Sequence, residues 1–128
     1  MSYKSLIGYR KTFTLAIKIF KLTKRSPKEE LFGLTGQVRR SSRSVCSNNA
    51  ESYRKRKYEA HFISKLTDAD TENSETEVWL DFSLACEYIS EDEYKSLYAE
   101  AEEVGRLLWY MIENPSKFLS KNDQNLNK

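Results

Sequence analysis

The chain has 128 residues, the usual size of one domain, and its hydrophobic fraction of 39% is enough for a single core. Four Gly and two Pro leave few tight turns, which disfavours a β-sandwich or barrel and favours a few long helices. The net charge of +2 conceals a division: residues 1–65 carry 16 Lys and Arg against 4 Asp and Glu, a formal +12, while residues 66–128 carry 5 against 15, a formal −10.

Asymmetry of this kind is a statement about partners rather than fold. The counter-charge is the other half of the same chain, a neighbouring subunit, or an external polyanion. No stretch approaches the roughly 18 to 20 consecutive apolar residues of a membrane span. The opening Met1-Ser2-Tyr3-Lys4 lacks the apolar run of a signal peptide, so a soluble cytoplasmic protein with no membrane partner is expected. Cys46 and Cys86 have no metal-type spacing and fall within helical patterns, where both read as reduced, small core residues.

Leu6, Tyr9, Phe13, Ala16, Ile17 and Phe20 recur at spacings of three and four, which predicts a first helix over about 9–24 with these residues inward. Ser26-Pro27-Lys28-Glu29 then has the form of a capping box with proline at the first helical position, predicting a second helix over 27–54. Its inner positions are Leu31, Leu34, Val38, Ser41 or Ser42, Val45, Asn49 and Ser52, small enough in the middle for another backbone to approach closely. The apolar pattern lapses at Arg54-Lys55-Arg56-Lys57, which is either a junction or the kink of one continuous helix.

A third helix over 57–89 carries Tyr58, Phe62, Leu66, Ala69, Asn73, Thr76, Leu80 and Leu84, with a second ridge at Trp79, Phe82, Cys86 and Ile89. Ser90-Glu91-Asp92-Glu93 repeats the capping-box pattern and opens a fourth helix over 91–113, seamed by Tyr94, Leu97, Ala101, Val104, Leu108 and Met111 or Ile112. Asn114-Pro115 ends it. The expected fold is all-α, an antiparallel up-down-up-down four-helix bundle over 1–118, followed by a mobile polar tail over 119–128.

Chemistry finds little footing. A di-iron bundle needs Glu-x-x-His on each of two helices, but the single histidine is His61 and residue 58 is Tyr. Asp68, Glu72 and Glu75 share a helical face and read as solvated or salt-bridged rather than as metal ligands. Cys46 has only His61 as a conceivable base, and Gly8, Gly33, Gly36 and Gly105 form no phosphate loop. Paired carboxylates of the glycosidase type are not excluded by sequence, but no cleft is predicted to hold them. The expectation is therefore a non-enzyme without metal or cofactor.

The basic residues of helix two are better organised. Taking Arg39 as zero at about 100° per residue, Arg43 falls at roughly 40°, Arg54 at roughly 60°, Lys57 near 0° if the helix reaches that far, and Arg40 at about 100°. The inner set falls between roughly 220° and 280°, so the stripe points away from the core. Arg39, Arg40, Arg43, Arg54, Lys55, Arg56 and Lys57 are the candidate contacts to RNA or DNA. Pairing of the same residues with the acidic helices, in cis or between subunits, is the competing reading. Tyr53 and Tyr58 flank the cluster, either to stack on bases or to close the helix junction.

The segment from Leu34 to Glu51, through Leu34, Gln37, Arg39, Arg40, Ser44, Asn48, Ala50 and Glu51, resembles the signature helix of the 23S ribosomal RNA intervening-sequence four-helix-bundle proteins. That group includes the accessory variability determinant of diversity-generating retroelements. The likeness continues through Ser74-Glu75-Thr76, Leu80 and Tyr88-Ile89, covering roughly residues 5–115. Two positions depart from it: Asn49, where the family usually has Ile, and Ser52, where it usually has Gly. A polar inner face there suits a buried hydrogen-bond network or an intersubunit contact. The resemblance implies a non-enzymatic bundle that assembles as a ring, typically a homopentamer, with a basic surface. For the retroelement members it also implies binding to a reverse transcriptase and to nucleic acid; for the ribosomal members it implies little.

Overall fold

Four helices form: α1 over Ile7–Thr23, α2 over Leu34–Arg54, α3 over Glu59–Ala85 and α4 over Glu91–Glu113, with single 3-10 turns at Lys28–Glu30 and Pro115–Lys117. The computed structural model describes residues 7–119, and no strand occurs among them. Leu6 of the first helical pattern, the opening Met1-Ser2-Tyr3-Lys4 and the tail from residue 120 onward lie outside the described residues.

Cross-helix contacts set the directions. Between α1 and α2, Arg39 donates to Thr23 and Cys46 lies against the Tyr9 carbonyl, so partner numbers fall on one helix as they rise on the other. Arg40 with Glu75 and Lys65 with Glu51 give the same relation for α2 and α3. Asn73 with Ala101 and Asp81 with Tyr94 give it for α3 and α4. Lys11 with Glu103, Lys18 with Glu100 and Arg25 with Glu93 close α4 back onto α1. The bundle is therefore up-down-up-down, each helix antiparallel to its neighbours.

The core is a column of Leu15, Ile19, Val38, Val45, Phe62, Leu66, Ala69, Leu80, Leu97, Ala101, Val104 and Leu108. Its α2–α3 side is built from small polar residues. The Ser41 and Thr76 hydroxyls meet at 2.8 Å across it, and Ser52 donates to the Asn49 carbonyl within α2. A buried polar network thus occurs at Ser41 and Thr76, whereas the side chain of Asn49, also buried, has no hydrogen-bond partner among the described residues.

The first helix corrects the sequence reading. Tyr9, Phe13, Ala16, Ile17 and Phe20 were expected to face the core, yet Phe13 is 49% and Ile17 38% exposed, and only Ala16 of this set is buried. The inward face is Thr12, Leu15, Ile19 and Thr23. Both threonines satisfy their hydroxyls within the helix, Thr12 at the Gly8 carbonyl (2.9 Å) and Thr23 at the Ile19 carbonyl (2.7 Å). That local hydrogen bond lets threonine stand in for an apolar residue, so the apolar count pointed to the wrong face.

Helix two also begins later than expected. Ser26 caps nothing; residues 27–33 form turns with bonds from Glu30 N to Pro27 O, Leu31 N to Lys28 O and Gly33 N to Glu30 O. Leu31 and Phe32, at 46% and 96% exposed, give this segment no buried ridge to fold around. Glu30 supplies the acceptor instead, taking the Leu34 N–H at 3.2 Å on one carboxylate oxygen and the Tyr88 hydroxyl at 2.8 Å on the other. The turn lies so close to α2 that a Cβ at Gly36 would stand 2.6 Å from the Leu31 carbonyl oxygen, which only glycine avoids.

Helices two and three are separate, since α2 ends at Arg54 and Lys57 lies in the turn. Tyr58, expected inside, is exposed and sits edge-on to His61. Helix three stops at Ala85 rather than 89. Tyr88 N–H reaches the Ser83 carbonyl and Glu87 N–H the Leu84 carbonyl, with Glu87 at φ 61, a Schellman ending with glutamate in the left-handed position that glycine usually takes. The reversal leaves Cys86 exposed and turns Ile89 inward, and Phe82, still within α3, is also exposed; both exposures run against expectation. At α4 the capping box forms: Ser90 accepts from Glu93 N–H at 3.1 Å while Glu93 accepts from Ser90 N–H at 2.8 Å. Beyond Asn114 the chain turns back to bury Leu119, which belongs to the core rather than to a tail.

Candidate functional site

Because the Tyr9–Phe20 ridge faces outward, α1 and α2 present an apolar groove on the outside of the bundle. Tyr9, Phe13, Ala16, Ile17 and Phe20 form one wall, and Arg43, Cys46 and Ala50 the other, around a volume of about 460 Å³. Phe20 is ringed by cations: Lys24 Nζ at 5.0 Å, the Arg39 guanidinium at 4.8 Å and that of Arg43 at 5.5 Å from the ring centre.

The seven candidate basic residues separate into distinct environments. Arg40 is engaged within the chain, reaching Glu72 at 3.1 Å and Glu75 at 2.5 Å on α3, and these carboxylates raise its pKa while the guanidinium lowers that of Glu75. Arg39 is half-buried, with Nε donating to Thr23 Oγ1 at 2.9 Å. Arg43 is exposed beside Phe20. Arg54, Lys55 and Lys57 are exposed at the α2–α3 turn, and none of them forms an ion pair among the described residues. Arg56 folds over the buried Tyr53 ring at 3.8 Å, and Lys57 stands 5.8 Å from the Tyr58 ring. Arg39 and Arg43 thus share one face, Arg40 turns to another, and residues 54–57 gather at one end of the bundle.

Elsewhere the opposed charges meet in cis. Lys11, Lys18 and Arg25 on and after α1 pair with Glu103, Glu100 and Glu93 of α4, and Lys65 pairs with Glu51. Glu72 and Glu75 face Arg40, and Asp68 lies 3.9 Å from Lys65, so this carboxylate row is salt-bridged. Among the described residues no three His, Cys, Asp or Glu converge as a metal set. Burial pushes the Cys46 thiol up, away from the thiolate that a nucleophile needs. No helix among the described residues is long and apolar enough to cross a membrane.

The model of the 23S rRNA-intervening sequence protein family matches residues 4–110, spanning α1, α2, α3 and nearly all of α4. The chain belongs to this family. A solved relative is the crystal structure of a protein of unknown function from the S23 ribosomal protein family of Bacteroides thetaiotaomicron VPI-5482. It is 30% identical, with a TM-score of 0.75, and the alignment covers 84% of this chain and 96% of that one. No match is found among curated proteins. Family membership accords with the Leu34–Glu51 signature, which lies wholly on α2 between the apolar groove and the ion-paired α3 face. Sequence reasoning missed the groove itself: its aromatic wall was assigned to the core.

Proposed function

We propose that this family member is a non-enzymatic, oligomeric cytoplasmic protein that binds nucleic acid through the cations clustered at and near the end of α2. The supporting observation is the selective use of basic residues inside the chain. The acidic helices engage Lys11, Lys18, Arg25 and Arg40, while Arg43, Arg54, Lys55 and Lys57 remain exposed and without an ion pair among the described residues. Pairing in cis accounts for Arg40 and leaves the turn cluster for an outside polyanion. Cations held in this way bind phosphate backbones with affinity that falls steeply with salt.

The likeness to the retroelement members extends this reading to a homopentamer that works beside a reverse transcriptase. A second reading, an interaction scaffold with no direct role at nucleic acid, is favoured by the exposed Phe13 and Ile17, whose apolar area suits a protein surface. Anisotropy titration of labelled single-stranded RNA and DNA against the full chain separates the two. Nucleic-acid binding predicts a salt-sensitive shift that Arg54→Glu with Lys55→Glu abolishes. A scaffold predicts no shift even at low ionic strength.

A further inference from the structure

The four long edges of the bundle differ in charge. The α4–α1 edge is closed by Lys11, Lys18 and Arg25 on Glu103, Glu100 and Glu93, and the α2–α3 edge by Arg40 and Lys65 on Glu72, Glu75 and Glu51. The two other edges share no helix and lie on opposite sides. The α1–α2 edge keeps the exposed Arg43 beside the apolar stripe. The α3–α4 edge keeps surplus negative charge.

That second edge holds a groove of about 590 Å³ in which Asp70 and Glu77 of α3 face Glu102 of α4, with Glu113 farther along and Arg106 the one cation among its lining residues. Asn73 lies at its floor, 2% exposed, its Nδ2 donating to the Ala101 carbonyl at 2.8 Å and its Oδ1 accepting nothing among the described residues. Gly105 keeps the wall low, since a Cβ there would meet Asn73 Nδ2 at 3.4 Å. Trp109, 55% exposed, offers an aromatic face at the rim. Burial, and then the charges of Glu102, Asp70 and Asp81, push the Glu77 carboxyl up, so the isolated chain holds carboxylates that repel one another, outnumbering the single lining cation Arg106.

Carboxylate walls, an aromatic rim and a spare amide acceptor together form a receptor for a cationic side chain. The complementary surface lies on the opposite edge of the same molecule, where Arg43, without an ion pair among the described residues, stands next to an apolar stripe. We propose that the α3–α4 groove at Asn73, Glu77 and Glu102 receives a cationic side chain, Arg43 foremost, from the α1–α2 edge of a second copy, joining copies head to tail. This rests on the oligomeric reading above and supplies its contact surface. Two unlike faces on opposite sides make a heterologous contact, which closes into a ring when the rotation per subunit allows. The stripe supplies apolar area, and the charges supply orientation and register.

Light scattering after size exclusion on the full chain tests the contact by complementation. Arg43→Glu alone, and Glu77→Lys with Glu102→Lys alone, should each reduce the assembly toward the 15.0 kDa single chain, with circular dichroism unchanged. Mixing the two variants should restore large species, because one retains the acidic groove and the other the basic stripe. The milder pair Glu77→Gln with Glu102→Gln should weaken assembly without adding repulsion. A wild-type assembly whose mass none of these variants changes overturns the groove contact while leaving oligomerisation standing. A monomeric wild type overturns both. RNA titration of the groove variants keeps the nucleic-acid reading separate, since the Arg54–Lys57 cluster is intact in all of them.

Discussion

A Cβ on Gly8 would lie 3.0 Å from Nδ2 of Asn49, so the first turn of α1 closes over an amide that is 1% exposed and has no hydrogen-bond partner among the described residues for its oxygen or its nitrogen. An unsatisfied buried amide costs on the order of 1 to 3 kcal/mol, whereas an apolar group of the same shape costs nothing in hydrogen bonding. Asn49→Leu should therefore stabilise the chain by about 1 kcal/mol or more. Urea unfolding followed by circular dichroism measures this, and a lower midpoint in the variant would show that the amide is satisfied in the folded protein.

The seven basic residues should not contribute equally to nucleic-acid binding. Arg40 is held by Glu72 and Glu75, so freeing it for phosphate means breaking contacts it already has. Arg40→Gln should leave affinity within about twofold. Arg54→Gln and Lys55→Gln should each reduce it and lower the slope of log affinity against log salt by about 1. Titrations at several salt concentrations give both quantities, and equal losses at residues 40 and 54 would contradict the division.

The bundle was legible because Val38, Val45, Leu66, Leu80, Leu97, Val104 and Leu108 keep a helical period and are buried as that period requires. The capping box at Ser90 was legible because its partners are local. The same motif at Ser26 failed, since Gly33 and the exposed Leu31 and Phe32 leave that segment in turns and Glu30 acts as acceptor. The face of α1 was misread because Thr12 and Thr23 bury their hydroxyls against their own helix, which no hydrophobicity count registers. That error concealed the apolar groove: the residues assigned to the core form its wall. The α2 charge stripe was visible, but the pairing of Arg40 depends on which helix lies beside it, a tertiary fact.

Ser90 and Glu93 satisfy one another's backbone N–H groups at the start of α4, and Glu93 also pairs with Arg25. Ser90→Ala should cost about 1 kcal/mol. The bond from the Ser90 backbone, then that from Arg25, hold the Glu93 carboxyl below its ordinary value. A lowered folded-state pKa means stabilisation that is fully present above the unfolded value, about 4.3, and is lost as pH falls through the folded one. The stability difference between wild type and Glu93→Gln should thus be largest at neutral pH and fade in acid, as thermal melts across pH will show.

Glu77 should behave with the opposite sign. Its carboxyl is held above the ordinary value by burial and by Glu102, Asp70 and Asp81, so the folded chain takes up a proton more readily than the unfolded one. Its ionised form therefore destabilises the isolated subunit at pH above the raised folded-state value, and that cost disappears as pH falls below the unfolded value of about 4.3. In an Arg43→Glu background, where subunits are expected to be separate, Glu77→Gln should raise the melting temperature at neutral pH and lose its advantage below about pH 4. In otherwise wild-type protein the same change should weaken assembly, because a cation from the neighbour would already compensate the carboxylate. Stability gained by the lone subunit and lost by the assembly is the expected mark of a charge retained for a partner; a melting temperature raised equally in both backgrounds would assign Glu77 a purely intramolecular effect.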